Sequence, residues 1–235
     1  MTTTLITGAN KGLGFEAARQ LSAAGHTVYV GARNPERGQS AAAELGARFV
    51  QLDVTDDTSV AAAAEVIAAD GGLDVLVNNA GIEPRKPDGG FVPAEEVTAD
   101  AVRAVFETNV LGQVRMLHAF LPLLLRSDAP VVVNVSSGAS LMRELANPDS
   151  PAYFYPDIAY PASKTAVNML TVQYAKAYPG VKINAVDPGF TATDLNHHAG
   201  HQTVEEGAEI LVRMARVGRA GPTGGFFEAS GVIPW

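Results

Sequence analysis

The chain has 235 residues, 47% of them apolar, with no cysteine and a formal charge of −8. That length suits one large α/β domain, and the missing thiols exclude disulfide scaffolds, zinc–thiolate sites, iron–sulfur clusters and thiol catalysis. The acidic balance argues against an extended nucleic-acid surface but leaves room for one anionic ligand in a local basic pocket.

Strands and helices alternate along the chain. TTLIT (3–7) reads as a β-branched strand, followed by glycines and a helix to about Ala24. HTVYVGA (26–32) is the second strand, with a helix near 35–45, and RFVQLD (48–53) is the third, with the helix VAAAAEVIAA after it. LDVLVNNAG (73–81) is the fourth; one long helix is expected from about Ala99 to Arg126. APVVVNVSS (129–137) is the fifth, a helix follows from about Tyr160 to Ala177, and VKINAVDPG (181–189) is the sixth. EEGAEILVRMA reads as the last helix and GGFFEAS as a final strand. Nearly continuous apolar strands between helices predict a parallel sheet covered on both faces. Two long loops, 82–93 and 138–157, are expected to be functional or mobile. The apolar run AFLPLLL (119–125) is too short to span a bilayer. An apolar strand-like run begins by Thr4, so no signal peptide is expected before it and the location expected is cytoplasmic.

TGANKGLG (7–14) joins the first strand to the first helix, and Gly12, Gly14 and Ala17 satisfy G-x-G-x-x-A. Such glycines let backbone approach a pyrophosphate at a helix N-terminus, so this loop predicts dinucleotide binding. The carboxylate that holds the ribose 2′-hydroxyl of NAD should lie about 20 residues on. That place is Ala32, followed by Arg33. With Lys11 in the glycine loop, this favours a 2′-phosphate and hence NADP. In YPASK (160–164) a lysine follows a tyrosine by one helical turn. The two share a helix face, and a cation there is expected to lower the phenol's pKa. Pro161 requires that helix to begin close to Tyr160.

The chain carries, in order, TGANKGLG, LDVTD (52–56), NNAG (78–81), Asn109 within ETNVLG, NVSS (134–137), YPASK and DPGFTATD (187–194). In this it resembles the short-chain dehydrogenase/reductase family over essentially its whole length. NKGLG, ARNPERGQ, the EEGAE helix and the terminal GGFFEASGVIPW are similar to the family's carbonyl reductases. The resemblance implies a single doubly wound, Rossmann-type α/β domain spanning 1–235, with sheet order 3-2-1-4-5-6-7. It implies that Tyr160 donates a proton to a substrate carbonyl oxygen, that Lys164 also holds the nicotinamide ribose, that Ser137, the second serine of NVSS, binds the carbonyl, and that Asn109 supports a water-linked proton relay. It places NADPH on Gly8, Asn10, Lys11, Gly12, Leu13, Gly14, Arg33, Asp53, Val54, Asn79, Ala80, Gly81, Tyr160, Lys164, Pro188, Gly189, Thr191 and Thr193. For Asp53, a capping carboxylate is the equal alternative.

The expected activity is reduction of a small ketone or aldehyde by NADPH, with no metal, nucleic acid or membrane involved and with monomer and homodimer both open. A 3-oxoacyl thioester reductase is the enzymatic alternative; Arg85, Lys86 and Arg143 are the basic residues available to it. A non-catalytic NADP-sensing protein is the alternative of another class, one that would be expected to lack part of the Ser–Tyr–Lys set. The stretch between Ser137 and Tyr160 is longer than in many members; its Tyr153, Phe154 and Tyr155 are expected to wall a substrate pocket. HHAGH (197–201) has no supporting carboxylate and is not read as a zinc site. Trp235 is expected to pack on the body.

Overall fold

The computed structural model describes residues 2–235. The strands are β1 (Thr3–Thr7), β2 (Thr27–Ala32), β3 (Arg48–Gln51), β4 (Val75–Asn78), β5 (Val131–Val135), β6 (Lys182–Val186), β7 (Phe226–Glu228) and β8 (Gly231–Ile233). The helices are α1 (Gly12–Ala23), α2 (Pro35–Leu45), α3 (Asp57–Ala69), α4 (Ala99–Phe106), α5 (Gly112–Leu124), the short α6 (Met142–Leu145), α7 (Ala159–Ala177) and α8 (Val204–Ala215).

The strands form one sheet in the order 3-2-1-4-5-6-7-8, parallel except for the antiparallel β7–β8 pair. Side chains alternate between its faces, as strand geometry requires. Leu5, Tyr29, Leu76, Val132 and Ile183 pack under α3, α5 and the end of α7. Their neighbours Ile6, Val30, Val77, Val133 and Val186 pack against α1, α2 and α8. The sequence reading of seven parallel strands in this order therefore holds, and β8 adds an eighth. The Phe226 and Trp235 rings stack at 5.5 Å, and the Trp235 indole N–H donates to the Gly224 carbonyl at 3.2 Å.

Side-chain caps set the starts of four helices. Asn34 accepts from the Arg37 N–H at the head of α2, Asp56 from Thr58 at α3, and Thr98 from Ala101 at α4; Thr203 and Glu206 form a capping box at α8. At α1, no side chain among the described residues caps the N-terminus.

Two expectations need correction. The helix predicted over 99–126 is interrupted by a π-helical turn, Glu107–Leu111, between α4 and α5. The turn carries Asn109, whose amide bonds the backbone of Ile82 rather than facing solvent, and single π turns of this kind cluster at functional sites. The stretch 138–157 is not a plain loop: it holds α6 and two short 3₁₀ turns. α7 begins at Ala159, where Asp157 accepts the N–H groups of Ala159 and Tyr160. Pro161 thus lies in the first turn, where its missing donor has no intrahelical acceptor to lose.

Candidate active site

β1 and β4 are adjacent, and their crossovers leave in opposite directions, so a crevice opens beyond their carboxyl ends. It is a cleft of about 910 Å³. Gly8, Asn10, Lys11, Gly12, Leu13, Gly14, Arg33, Asp53, Val54, Asn79, Ala80, Gly81, Tyr160, Lys164, Pro188 and Thr193 all line it. Four residues from the sequence reading do not. Asn109 is buried beneath the wall, Ser137 is hydrogen-bonded to the phenol, Gly189 abuts Gln202, and Thr191 is buried against Gly207 of α8. The Thr191 hydroxyl bonds back to the Pro188 carbonyl at 3.2 Å.

Gly12 opens α1 with φ +55°, a conformation that a side chain disfavours. A Cβ on Gly14 would lie 2.5 Å from Asn79 Nδ2 and 2.8 Å from the Gly8 carbonyl. The Asn79 amide in turn donates to the Thr7 carbonyl at 2.8 Å. The uncapped first turn of α1 therefore points unpaired N–H groups into a cradle that glycine keeps open. Arg33 is exposed at the edge of this cradle, with no partner among the described residues. Lys11 bonds the Asp194 carboxylate at 2.8 Å, an exposed pair across the mouth of the cleft. Asp53 is not a helix cap. Its carboxylate closes a local turn by accepting from the Thr55 N–H and hydroxyl.

Tyr160 and Lys164 lie at the other end of the cleft. The Tyr160 phenol is only 9% exposed and Lys164 3%. The Lys164 ammonium donates to the Val135 carbonyl at 2.8 Å and lies 5.4 Å from the Tyr160 ring centre. Ser136 turns away, its hydroxyl donating to Asn168 at 2.6 Å. Ser137 faces the phenol. Its Oγ accepts the Ala139 N–H at 3.1 Å, so its own hydrogen is the one offered to the phenol oxygen. Asn109 Nδ2 donates to Ser163 Oγ at 3.0 Å, and that hydroxyl donates to the Tyr160 carbonyl. A Cβ on Gly81 would sit 3.3 Å from Asn109 Oδ1 and 3.7 Å from Lys164 Nζ, so this glycine separates the two.

The sign expected for Tyr160 is overturned. Burial pushes its pKa up, the Glu83 carboxylate adds to the rise, and Ser137 opposes it. Burial also pushes Lys164 down, to about 8, and its ammonium donates to a backbone carbonyl rather than to the phenol. At neutral pH the phenol is protonated, the form that donates.

A depressed lysine pKa has a consequence for stability. The unfolded lysine holds its proton up to about pH 10.4, while the folded one releases it near 8. Between these values the unfolded state binds more protons, so this group's contribution rises with pH. Lys164→Met is therefore expected to gain stability relative to wild type below pH 8, with the difference shrinking as pH climbs toward 10. Parallel denaturant melts across this range check the sign.

Glu83 and Arg85 also line the cleft. They form an ion pair at 2.8 Å with side chains 4% and 9% exposed. Tyr155 donates to Glu83, and the Arg85 guanidinium lies 3.6 Å from the Phe91 ring centre. Of the three aromatics between Ser137 and Tyr160, only Tyr155 turns inward. Tyr153 and Phe154 are exposed and pack on each other, contrary to the expectation that all three wall a pocket. His198 bonds Asp194 at 2.9 Å, His201 packs near Phe190, and both His197 and His198 have left-handed backbone. Glu83 and Arg85 directly follow NNAG, and their place beyond the end of β4 was the available signal for them.

The model for short chain dehydrogenases matches residues 2–204. Short-chain dehydrogenase/reductase 1 of Saponaria officinalis is 34% identical, over 98% of this chain and 95% of that protein. A (+)-neomenthol dehydrogenase of Arabidopsis thaliana is 33% identical, over 95% of each. The structure of an NADPH-bound carbonyl reductase from chicken fatty liver superimposes with a TM-score of 0.84 at 27% identity, covering 100% of this chain and 99% of that one.

Proposed function

This chain belongs to the short-chain dehydrogenase family, an oxidoreductase fold that works with nicotinamide cofactors, and from that premise we propose that it reduces the carbonyl of a small ketone or aldehyde with NADPH. One observation carries the proposal: a buried phenol, with a serine hydroxyl and a buried lysine beside it, lies at the end of a cleft that begins at an uncapped, glycine-lined helix. Related proteins named for dehydrogenation of neomenthol and reduction of carbonyls are consistent with it.

The cradle suits a dinucleotide. The first turn of α1 would hold the pyrophosphate, Asp53 and Val54 would flank the adenine, and Arg33 and Lys11 would face a 2′-phosphate. When bound, the cofactor supplies a hydride. Ser137 donates a hydrogen bond to the carbonyl oxygen and stabilises the charge that develops there. Tyr160 gives that oxygen its proton. Lys164 stabilises the phenolate left behind and has two further N–H donors for ribose hydroxyls. Asn109, across Gly81 from Lys164, supports return of the proton.

Arg33, which has no partner among the described residues, decides between the cofactors, since Lys11 is already paired with Asp194. Each charge-assisted contact is worth about 1.5–3 kcal/mol, so Arg33→Ala is expected to raise the NADPH dissociation constant about 10- to 100-fold while leaving NADH almost unaffected. Titration of cofactor fluorescence measures both. Equal losses for the two cofactors would assign Arg33 to the surface. The thioester reading is weakened by the structure: Arg85, Lys86 and Arg143 each pair with a carboxylate, Glu83, Glu96 and Glu144, and present no free basic patch. A sensing protein does not need the intact Ser137–Tyr160–Lys164 set. Oxidation of NADPH by wild type, over a panel of α-ketoesters, aromatic aldehydes, quinones and an acetoacetyl thioester, tests the whole assignment.

A further inference from the structure

α7 presents three polar groups one turn apart, Tyr160, Lys164 and Asn168, on one face. The third is buried and plays no part in the chemistry above. Asn168 Oδ1 accepts the Ser136 hydroxyl at 2.6 Å, and Asn168 Nδ2 donates to Ser140 Oγ at 2.7 Å. Ser140 Oγ spends its one hydrogen on the Ser137 carbonyl at 2.6 Å. Thr165, also on α7, donates to the Ser140 carbonyl at 3.0 Å. The amide thus grips the chain on both sides of Ser137, and reaches Ser137 itself through Ser140.

The network also fixes which way the amide faces. If Nδ2 turned toward Ser136, Oδ1 would require the Ser140 hydrogen, and the Ser137 carbonyl would lose its partner. An asparagine meets both demands because it carries a donor and an acceptor on one short stem.

We propose that Asn168 is a positioning residue: it ties the loop carrying Ser137 to the helix carrying Tyr160, so that the two groups facing the substrate oxygen keep one relative geometry. This rests on the role given above to Ser137. Misplacing a reacting group by about 1 Å can cost on the order of 100-fold in rate, so a residue that acts only through Ser137 should matter only while Ser137 is there.

The test is a double-mutant cycle on kcat with the NADPH-loaded enzyme. Asn168→Ala is expected to lower kcat about 10- to 100-fold, with the NADPH dissociation constant changed by no more than about two-fold. In a Ser137→Ala background the same change should cost about two-fold or less. Ser140→Ala, which removes the bridge from Asn168 Nδ2 to the Ser137 carbonyl and leaves the Ser136 bond in place, should show the same dependence if Asn168→Ala does not fold. Equal losses with and without Ser137 would overturn the proposal and leave Asn168 a packing residue. Wild type that turns over no carbonyl would instead sink the reading of the site, and this inference with it.

Discussion

Tyr160→Phe is expected to cut carbonyl turnover by about 10²- to 10⁴-fold, the usual contribution of a positioned acid. Phe keeps the ring and its packing and removes one oxygen. The phenol is buried, and its partners are Ser137 and the field of Glu83 rather than a structural hydrogen bond that holds two elements together. NADPH affinity and thermal stability should therefore change little, and the loss should appear in kcat. Tyr155 provides the control. Its hydroxyl also lies near this end of the cleft, but it donates to Glu83, and burial together with that carboxylate pushes its pKa up even further. A hydroxyl held that way is a poor proton source, so Tyr155→Phe should cost much less. Persistent turnover in Tyr160→Phe, lost only when Tyr155 is also changed, would move the acid to Tyr155.

Gly14→Val is expected to destroy the cofactor cradle. A Cβ at this position would meet Asn79 Nδ2 at 2.5 Å, the Gly8 carbonyl at 2.8 Å and Ala9 Cα at 3.0 Å. Asn79 cannot yield freely, because its amide is bonded to the Thr7 carbonyl and its backbone N–H to the Thr7 hydroxyl. Overpacking of this kind costs about 1–3 kcal/mol, or about 2–12 °C in Tm for a chain of this size. The strain sits where the backbone must approach a pyrophosphate, so NADPH binding should fall by more than about 100-fold, beyond what a loss of stability alone explains. Gly180 has open space around it and an unremarkable φ, so Gly180→Ala should be silent in both melting and binding. If Gly14→Val bound NADPH normally, the cradle would be misassigned.

The sheet was legible in the sequence for a physical reason. A parallel strand covered on both faces has no polar side, so runs such as LDVLVN and APVVVN stand out from the amphipathic helices between them. Contacts between distant residues were not legible. The π turn at Asn109 depends on the Ile82 backbone, and Lys11 meets Asp194 across 183 positions of sequence. β8 is three residues long and exists because β7 offers it an edge. The lysine four residues after Tyr160 correctly suggested that the two share a helix face, yet the sign of the phenol's pKa shift was wrong. Spacing reports which charges are near, while the shift also depends on burial and on Glu83, which the 82–91 turn brings in. Thr191 and Thr193 looked equivalent in DPGFTATD; only the folded loop turns one into the protein and the other toward the cleft.

Hydride transfer to a carbonyl carbon is tested by following the hydride itself. NADPH deuterated at C4 of the nicotinamide, in each of its two stereochemical forms, would be incubated with the enzyme and the best substrate of the carbonyl panel. One deuterium is expected on the carbinol carbon of the alcohol, delivered from one form only. Deuterium on a carbon β to an intact carbonyl, or a product free of label, would contradict it.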